Sequence, residues 1–182
     1  MIIVLGVAGS GKSTQSKLLA ARDGMQWVSM GEVLRRVITD DRRELMLAGK
    51  VLDEHETIAI LSDELTRLGD EPEVILDGFP RGIFQAEWLL QERAAGRFTI
   101  RAVVHLQAHT EAVKSRLLAR GRQDDTEDAI AERFAEYEEK IKPIVTLFSE
   151  QGVPVVDINA EKSPNEVGED IVAALTHVGV IV

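Results

Sequence analysis

The sequence has no cysteine, few basic residues and no long apolar run, and each shortage excludes a class of protein. Without cysteine there is no disulfide framework, thiolate zinc site or thiol redox chemistry. The 21 Lys and Arg against 31 Asp and Glu form no basic cluster, which argues against a nucleic-acid surface. No apolar run approaches the ~20 residues that span a bilayer. We therefore expect a cytoplasmic protein without a nucleic-acid or membrane partner.

The four histidines show no spacing typical of metal ligands, so we expect them to be structural or at the surface. They are His55, His105, His109 and His177. An anionic ligand of so acidic a chain must be held by a local pocket.

Short runs rich in Val and Ile alternate with longer amphipathic stretches along the whole chain. The runs at 1–7, 26–30, 73–76, 102–106 and 153–158 predict strands. The stretches at 11–22, 31–37, 42–48, 54–68, 83–95, 111–120, 127–151 and 165–177 predict helices. Pro143 should bend or break the helix at 127–151. The pattern predicts one doubly wound α/β domain over residues 1–182, in which residues 29–68 form a helical insertion without a strand.

A glycine-rich loop follows the first predicted strand and opens the first helix. Residues 6–14 read GVAGSGKST and match the phosphate-binding pattern G-x-x-x-x-G-K-[ST]. In this pattern Lys12 reaches the β and γ phosphates and the Ser13 hydroxyl binds magnesium. The predicted ligand is a purine nucleoside triphosphate with Mg²⁺, bound by Gly9, Ser10, Gly11, Lys12, Ser13 and Thr14. Transferases, hydrolases and switches all share such loops, so the loop leaves the reaction open.

The third predicted strand ends in a carboxylate followed by an arginine. Residues 74–81 read VILDGFPR, which places Asp77 and Arg81 at the carboxyl edge of the sheet, where open α/β sheets bind ligands. From this edge Asp77 is positioned to hold magnesium through water, and Arg81 to face a phosphate.

The sequence DGFPR followed by Gln85 resembles the signature of the adenylate kinases, which are nucleoside monophosphate kinases. Two further segments are similar to that family in the same order, SMGEVLR at 29–35 and AGKVLDE at 48–54. The resemblance covers nearly the whole chain. It implies a three-layer P-loop fold with a five-stranded parallel sheet of order 2-3-1-4-5, and transfer of the γ-phosphate of MgATP to a nucleoside monophosphate. The expected partners are these nucleotides, and the expected state is a monomer or a small homo-oligomer.

The resemblance also implies which residues bind the acceptor nucleotide. Arg35 and Arg81 would clamp its phosphate, and Gln85 would read the edge of its base. The full set implied for the monophosphate is Met30, Arg35, Lys50, Val51, Leu52, Gly78, Phe79, Pro80, Arg81, Gln85, Arg122 and Arg133.

For the donor, the resemblance places Arg116 against the adenine, four residues before Arg120 on the same helix face. Lys162 lies in a turn, AEKSP, that resembles the turn bordering that adenine. The residues expected to converge on the transferring phosphates are Lys12, Arg81, Arg120, Arg122 and Arg133. Phosphoryl transfer mainly requires that the protein position the two nucleotides and place positive charge around the transferring group, and this set supplies that charge.

The chain departs from the family pattern in its loop, its lid and one specificity position. Ala8 and Ser13 stand where the family usually has Pro and Gly, as in loops of the gluconate and shikimate kinase type. The lid is reduced to a turn at 120–125, so we expect water to reach the γ-phosphate and hydrolyse some ATP. Met30 stands where the family usually has a hydroxyl or a small residue. Its side chain cannot donate a hydrogen bond, so the preferred base of the acceptor stays open.

AMP is the favoured acceptor. The alternatives are a UMP/CMP kinase, another small-metabolite P-loop kinase, or a nucleotide-binding regulator that has lost turnover.

Overall fold

Five strands form the centre of the structure, a computed structural model that describes residues 1–38, 53–69, 73–120 and 126–181. They are β1 (Ile2–Gly6), β2 (Gln26–Ser29), β3 (Val74–Asp77), β4 (Ala102–Gln107) and β5 (Val155–Asn159). Neighbouring strands are parallel, and their order is β2-β3-β1-β4-β5. Both the parallel sheet and its order confirm the expectation from the family resemblance.

Eight α-helices lie between and after these strands within the described residues. They are α1 (Lys12–Asp23), α2 (Met30–Val37), α3 (Glu54–Arg67), α4 (Ile83–Ala94), α5 (Thr110–Arg120), α6 (Glu127–Glu136), α7 (Lys142–Glu150) and α8 (Pro164–His177). The ends differ from the predicted ones by at most two residues, except where one predicted helix, 127–151, is divided. The predicted helix at 42–48 lies outside the described residues. Among the residues described, no helix is both long and apolar enough to cross a membrane.

The inner strands are almost wholly apolar because both faces of the sheet are covered. Ile3 and Leu5 of β1 pack on one face, under α2, α3, α4 and α7. Ile2 and Val4 point to the other face, under α1 and α8. Since successive side chains of a strand alternate between faces, a strand buried on both sides reads as an unbroken apolar run. This burial explains why the strands could be recognised in the sequence.

The helix predicted at 127–151 is divided by a π-helical turn at Tyr137–Ile141, which joins α6 to α7. The backbone N–H of Lys142 donates to the carbonyl of Tyr137, five residues earlier, instead of four. Pro143 follows directly; its ring has no N–H and would clash with the carbonyl four residues before it. The predicted interruption at Pro143 is therefore confirmed, and it takes the form of a widened turn.

Helix α8 begins with a capping box at Ser163 and Glu166. The Ser163 hydroxyl accepts from the Glu166 N–H, and the Glu166 carboxylate accepts from the Ser163 N–H at 3.0 Å. These bonds satisfy two backbone donors that a helix start leaves without partners. Helix α8, whose start these bonds fix, packs against α1 and β5.

Candidate active site

A cleft of about 740 Å³ opens at the carboxyl ends of β1 and β3, the edge at which open α/β sheets bind ligands. The loop after β1 and the turn after β3 both line it. Among the described residues, six cations line this cleft against three acids. They are Lys12, Lys17, Arg35, Arg81, Arg116 and Arg133 against Glu32, Asp77 and Glu136. In a chain of net charge -10, this local excess of positive charge suits an anionic ligand.

The glycine-rich loop lies tightly against helix α5. Gly9 has a φ of 84°, and a Cβ added to it would lie 2.8 Å from Cγ of Leu117 and 2.9 Å from Cγ1 of Val113. Only glycine fits both this backbone conformation and this space. Of the loop residues predicted to bind ATP, Ser10 is buried with 2% exposure. The others line the cleft: Gly9, Gly11, Lys12, Ser13 and Thr14.

Lys12 folds back over the loop that it follows. Its Nζ donates to the carbonyl oxygens of Gly6 and Val7, at 2.9 Å each. The ammonium group is thereby held beside the loop and within the cleft. A phosphate bound by the loop would lie next to this charge.

Ser13 and Asp77 form the pair of oxygen ligands predicted for magnesium. The Ser13 hydroxyl donates to Oδ2 of Asp77 at 2.6 Å, and Asp77 is only 3% exposed. Among the described residues, no cluster of three or more His, Cys, Asp or Glu side chains could hold a metal ion. Mg²⁺ usually keeps several waters beside one or two carboxylates and substrate phosphates. A hydroxyl and a buried carboxylate at the mouth of a phosphate loop therefore fit this ion.

The turn after β3 holds Arg81 at the cleft. The backbone N–H of Arg81 donates to Oε1 of Gln85 at 2.8 Å, and its Nε donates to the carbonyl of Gly78 at 3.1 Å. Gly78, Pro80 and Arg81 line the cleft, and Arg35 of α2 joins them. The two arginines expected to clamp the acceptor phosphate are thus in the same cleft.

Three residues expected to contact the acceptor lie behind the cleft wall instead. Met30 is 2% exposed and Phe79 is fully buried, and both belong to the hydrophobic core. Gln85 is 5% exposed, and its carbonyl oxygen holds the Arg81 backbone. None of the three is among the residues that line the cleft. Their expected contacts with the acceptor nucleotide stay predictions.

Arg116 and Arg133 line the opposite side of the cleft. The guanidinium of Arg116 donates to the carbonyls of Ala160 at 2.6 Å and Glu161 at 3.0 Å, so it ties the turn after β5 to α5. Lys162, in the same turn, donates instead to Oδ2 of Asp170 at 2.6 Å. It does not line the cleft.

Several expected site residues cannot be compared with the structure. Lys50, Val51, Leu52 and Arg122 lie outside the described residues, as do the side chain of Arg120 and the lid residues 121–125. Their roles stay predictions from the family resemblance.

The structure adds residues to the cleft that the sequence did not indicate. Lys17 lines it, with Nζ 4.2 Å from the ring centroid of Trp27, and Tyr137 lines it from the π-helical turn. A helical spacing could have indicated both, because Lys17 and Tyr137 each follow a predicted site residue, Ser13 and Arg133, by four positions.

Comparisons with known proteins agree with this geometry. The family model for adenylate kinase matches residues 4–153. Adenylate kinase isoenzyme 5 of Homo sapiens is 34% identical over 187 residues, which cover 96% of this chain but 32% of that protein. The chain thus spans about a third of isoenzyme 5. An adenylate kinase of a Synechococcus strain is 31% identical and adenylate kinase 1 of a Nostoc strain 32%, each over 96% of this chain and 97% of the relative.

Proposed function

The chain belongs to the adenylate kinase family, and from this membership we propose that it transfers the γ-phosphoryl group of MgATP to AMP, producing two ADP. The observation that carries the proposal is the meeting of four elements in one cleft. These are the phosphate loop with Lys12, the Ser13–Asp77 pair, and an arginine-bearing wall on each side.

The loop and the lysine would bind the triphosphate. Backbone N–H groups of the loop and the N-terminus of α1 attract the β-phosphate region, and the Lys12 ammonium stands beside it. Ser13 and Asp77 would hold Mg²⁺, which when bound neutralises charge on the β and γ oxygens. This arrangement fixes the donor with its γ-phosphoryl group toward the middle of the cleft.

The acceptor would bind on the β3 side. Arg35 and Arg81 carry fixed positive charge and form bidentate bonds with phosphate oxygens. Gln85 anchors the backbone N–H of Arg81, and the Gly78 carbonyl accepts from its side-chain Nε. The guanidinium is therefore held in place before the acceptor binds. Such preorganisation lowers the cost of holding the attacking oxygen in line with the γ-phosphorus.

The arginines of α5 and α6 would stabilise the transition state. Charge spreads over the equatorial oxygens of the transferring group, and positive groups placed there beforehand lower the barrier. Arg133 is already at the cleft, and we propose the same role for Arg120 and Arg122. Proton abstraction by a side chain is not needed for this reaction.

AMP is proposed as acceptor on the strength of the DGFPR segment with Gln85, and of relatives that are themselves named adenylate kinases. The buried position of Met30 is compatible with this choice, since a side chain inside the core would not itself select against adenine.

The proposal is tested by replacing the acceptor arginine. Arg81→Ala should lower kcat/KM for AMP about 100-fold, because a lost bidentate charge-assisted contact costs about 3 kcal/mol. Arg67→Ala is the matched control, since Arg67 is a 66% exposed arginine on α3 that pairs with Glu64. Transfer to AMP unaffected by Arg81→Ala would refute the acceptor site.

A further inference from the structure

Three side chains connect the edge of the sheet to the wall of the cleft by hydrogen bonds. Oδ1 of Asp157 lies 2.7 Å from Nδ1 of His105, and Nε2 of His105 lies 2.7 Å from the hydroxyl of Tyr137. His105 and Asp157 are register partners on β4 and β5. His105 is 4% exposed and Tyr137 is 7% exposed. The cleft wall is therefore bonded to the sheet through a buried imidazole.

The carboxylate of Asp157 determines which ring nitrogen carries the proton. An ionised carboxylate only accepts hydrogen bonds, so Nδ1 of His105 must donate to it. In the neutral imidazole Nε2 is then an acceptor, and the Tyr137 hydroxyl donates to it. Burial raises the pKa of Tyr137, and the negative charges of Glu138 and Asp157 raise it further. The phenol therefore keeps its proton at neutral pH. Its hydroxyl is directed toward His105 on β4.

The ring of Tyr137 belongs to a small hydrophobic cluster beside the phosphate loop. This loop cluster consists of Val7, Val113, Leu117, Ile130 and Tyr137. Its members come from the loop, from α5, from α6 and from the π-helical turn. It thus joins the loop to the two helices that carry the donor-side arginines.

Arg133 is close to this cluster along the chain. It lies in α6, one helical turn before Tyr137, and both residues line the cleft. A change from the π-helical turn to regular α-helix would shift the register by one residue, which rotates a helix by about 100°. The anchored phenol opposes this shift.

We propose that His105 and Asp157 are positioning residues for phosphoryl transfer: by fixing the Tyr137 hydroxyl they hold the π-helical turn, and with it Arg133, at the cleft. This role rests on the function proposed above. The three residues do not react with substrate. They act by keeping the arginine where charge develops in the transition state.

The first test removes only the phenol oxygen. Tyr137→Phe should lower kcat about 10-fold and leave both KM values within about twofold, because a displaced transition-state group costs turnover more than binding. Thr146→Val is the matched control: it removes an exposed hydroxyl in α7 that donates to the Lys142 carbonyl at 3.2 Å, away from the cleft, and should leave kcat unchanged. An unchanged kcat in Tyr137→Phe would overturn the proposal.

A double-mutant cycle separates positioning from general destabilisation. If His105→Leu and Tyr137→Phe break one connection, the double variant should be no slower than the slower single variant. If the fold-loss in kcat of the double variant equals the product of the two single fold-losses, the two residues act independently and the proposal is overturned. Assays run well below the melting temperature of each variant keep unfolding out of the comparison.

A spectroscopic measurement tests the connection without any turnover. Tyr137 is the single tyrosine of the chain, so the tyrosine doublet in ultraviolet resonance Raman spectra reports one phenol. The wild type should show the intensity ratio of a strong hydrogen-bond donor, and His105→Leu should lose it. A wild-type phenol that is not a donor overturns the inference even in an active kinase. A donor phenol in a protein that transfers phosphate to no monophosphate overturns the proposed function, and the positioning role with it.

Discussion

Gly9→Ala should damage the protein more than an alanine replacement at a positive-φ glycine that has open space around it. At φ 84° a non-glycine residue costs about 1 kcal/mol or more. The new Cβ would also meet Leu117 Cγ at 2.8 Å and Val113 Cγ1 at 2.9 Å, and overpacking of this kind costs about 1–3 kcal/mol. We expect a loss of about 3 kcal/mol in the free energy of unfolding. ATP affinity should fall at least about 10-fold, because the loop must move away from α5.

Chemical denaturation measures the free energy of unfolding, and calorimetric titration with ATP measures the affinity. Gly96→Ala is the control, because Gly96 has a φ of 73° but nothing within 4 Å of an added Cβ. It should cost about 1 kcal/mol from backbone strain alone and leave ATP affinity unchanged. Equal losses in the two variants would refute the close packing of the loop on α5.

Two further predictions concern the capping box and the magnesium pair. Ser163→Ala should cost about 1 kcal/mol at neutral pH. The hydrogen bonds from the Ser163 side chain and backbone hold the pKa of Glu166 below its ordinary 4.5. The bond from the Ser163 hydroxyl to the carboxylate contributes stability above pH 4.5 that is lost as pH falls through the lowered pKa, so the difference in unfolding free energy between wild type and Ser163→Ala should become smaller in acid. The bond from the Glu166 N–H to the Ser163 hydroxyl does not depend on pH and keeps part of the difference; a difference that stays constant would refute the hydroxyl–carboxylate bond. Asp77→Asn should raise the Mg²⁺ concentration needed for ATP binding about 10-fold, since a charge-assisted contact is lost while the Ser13 bond keeps an acceptor; an unchanged Mg²⁺ titration would contradict this assignment.

The fold could be predicted from the sequence because its strands and loop leave local patterns. Strands covered on both faces read as continuous Val and Ile runs, and the phosphate loop has a fixed spacing between its glycines and Lys12. The strand order came from the family resemblance, since periodicity does not tell which strands are neighbours.

The contacts within the site were less accessible to sequence analysis. The bond between His105 and Asp157 joins residues 52 positions apart, and only the register of β4 on β5 brings them together. Pro143 predicted an interruption, but the hydrogen-bond pattern that widens the turn at Tyr137 has no sequence signature. Met30 and Gln85 stand on the expected elements, yet packing turns both side chains into the interior.

The most direct test is a coupled assay of ADP formation from ATP and Mg²⁺ with AMP, CMP, UMP, dTMP and GMP supplied separately. A reaction without acceptor is run beside them. The account predicts that AMP accelerates ADP formation more than the other monophosphates do. It also predicts a slow but measurable hydrolysis without acceptor, because the resemblance implies that the short segment at 120–125 leaves the phosphates uncovered. ADP formation that no monophosphate accelerates would contradict the assignment as a kinase. Hydrolysis as slow as in relatives with full lids would contradict the expected exposure of the γ-phosphate.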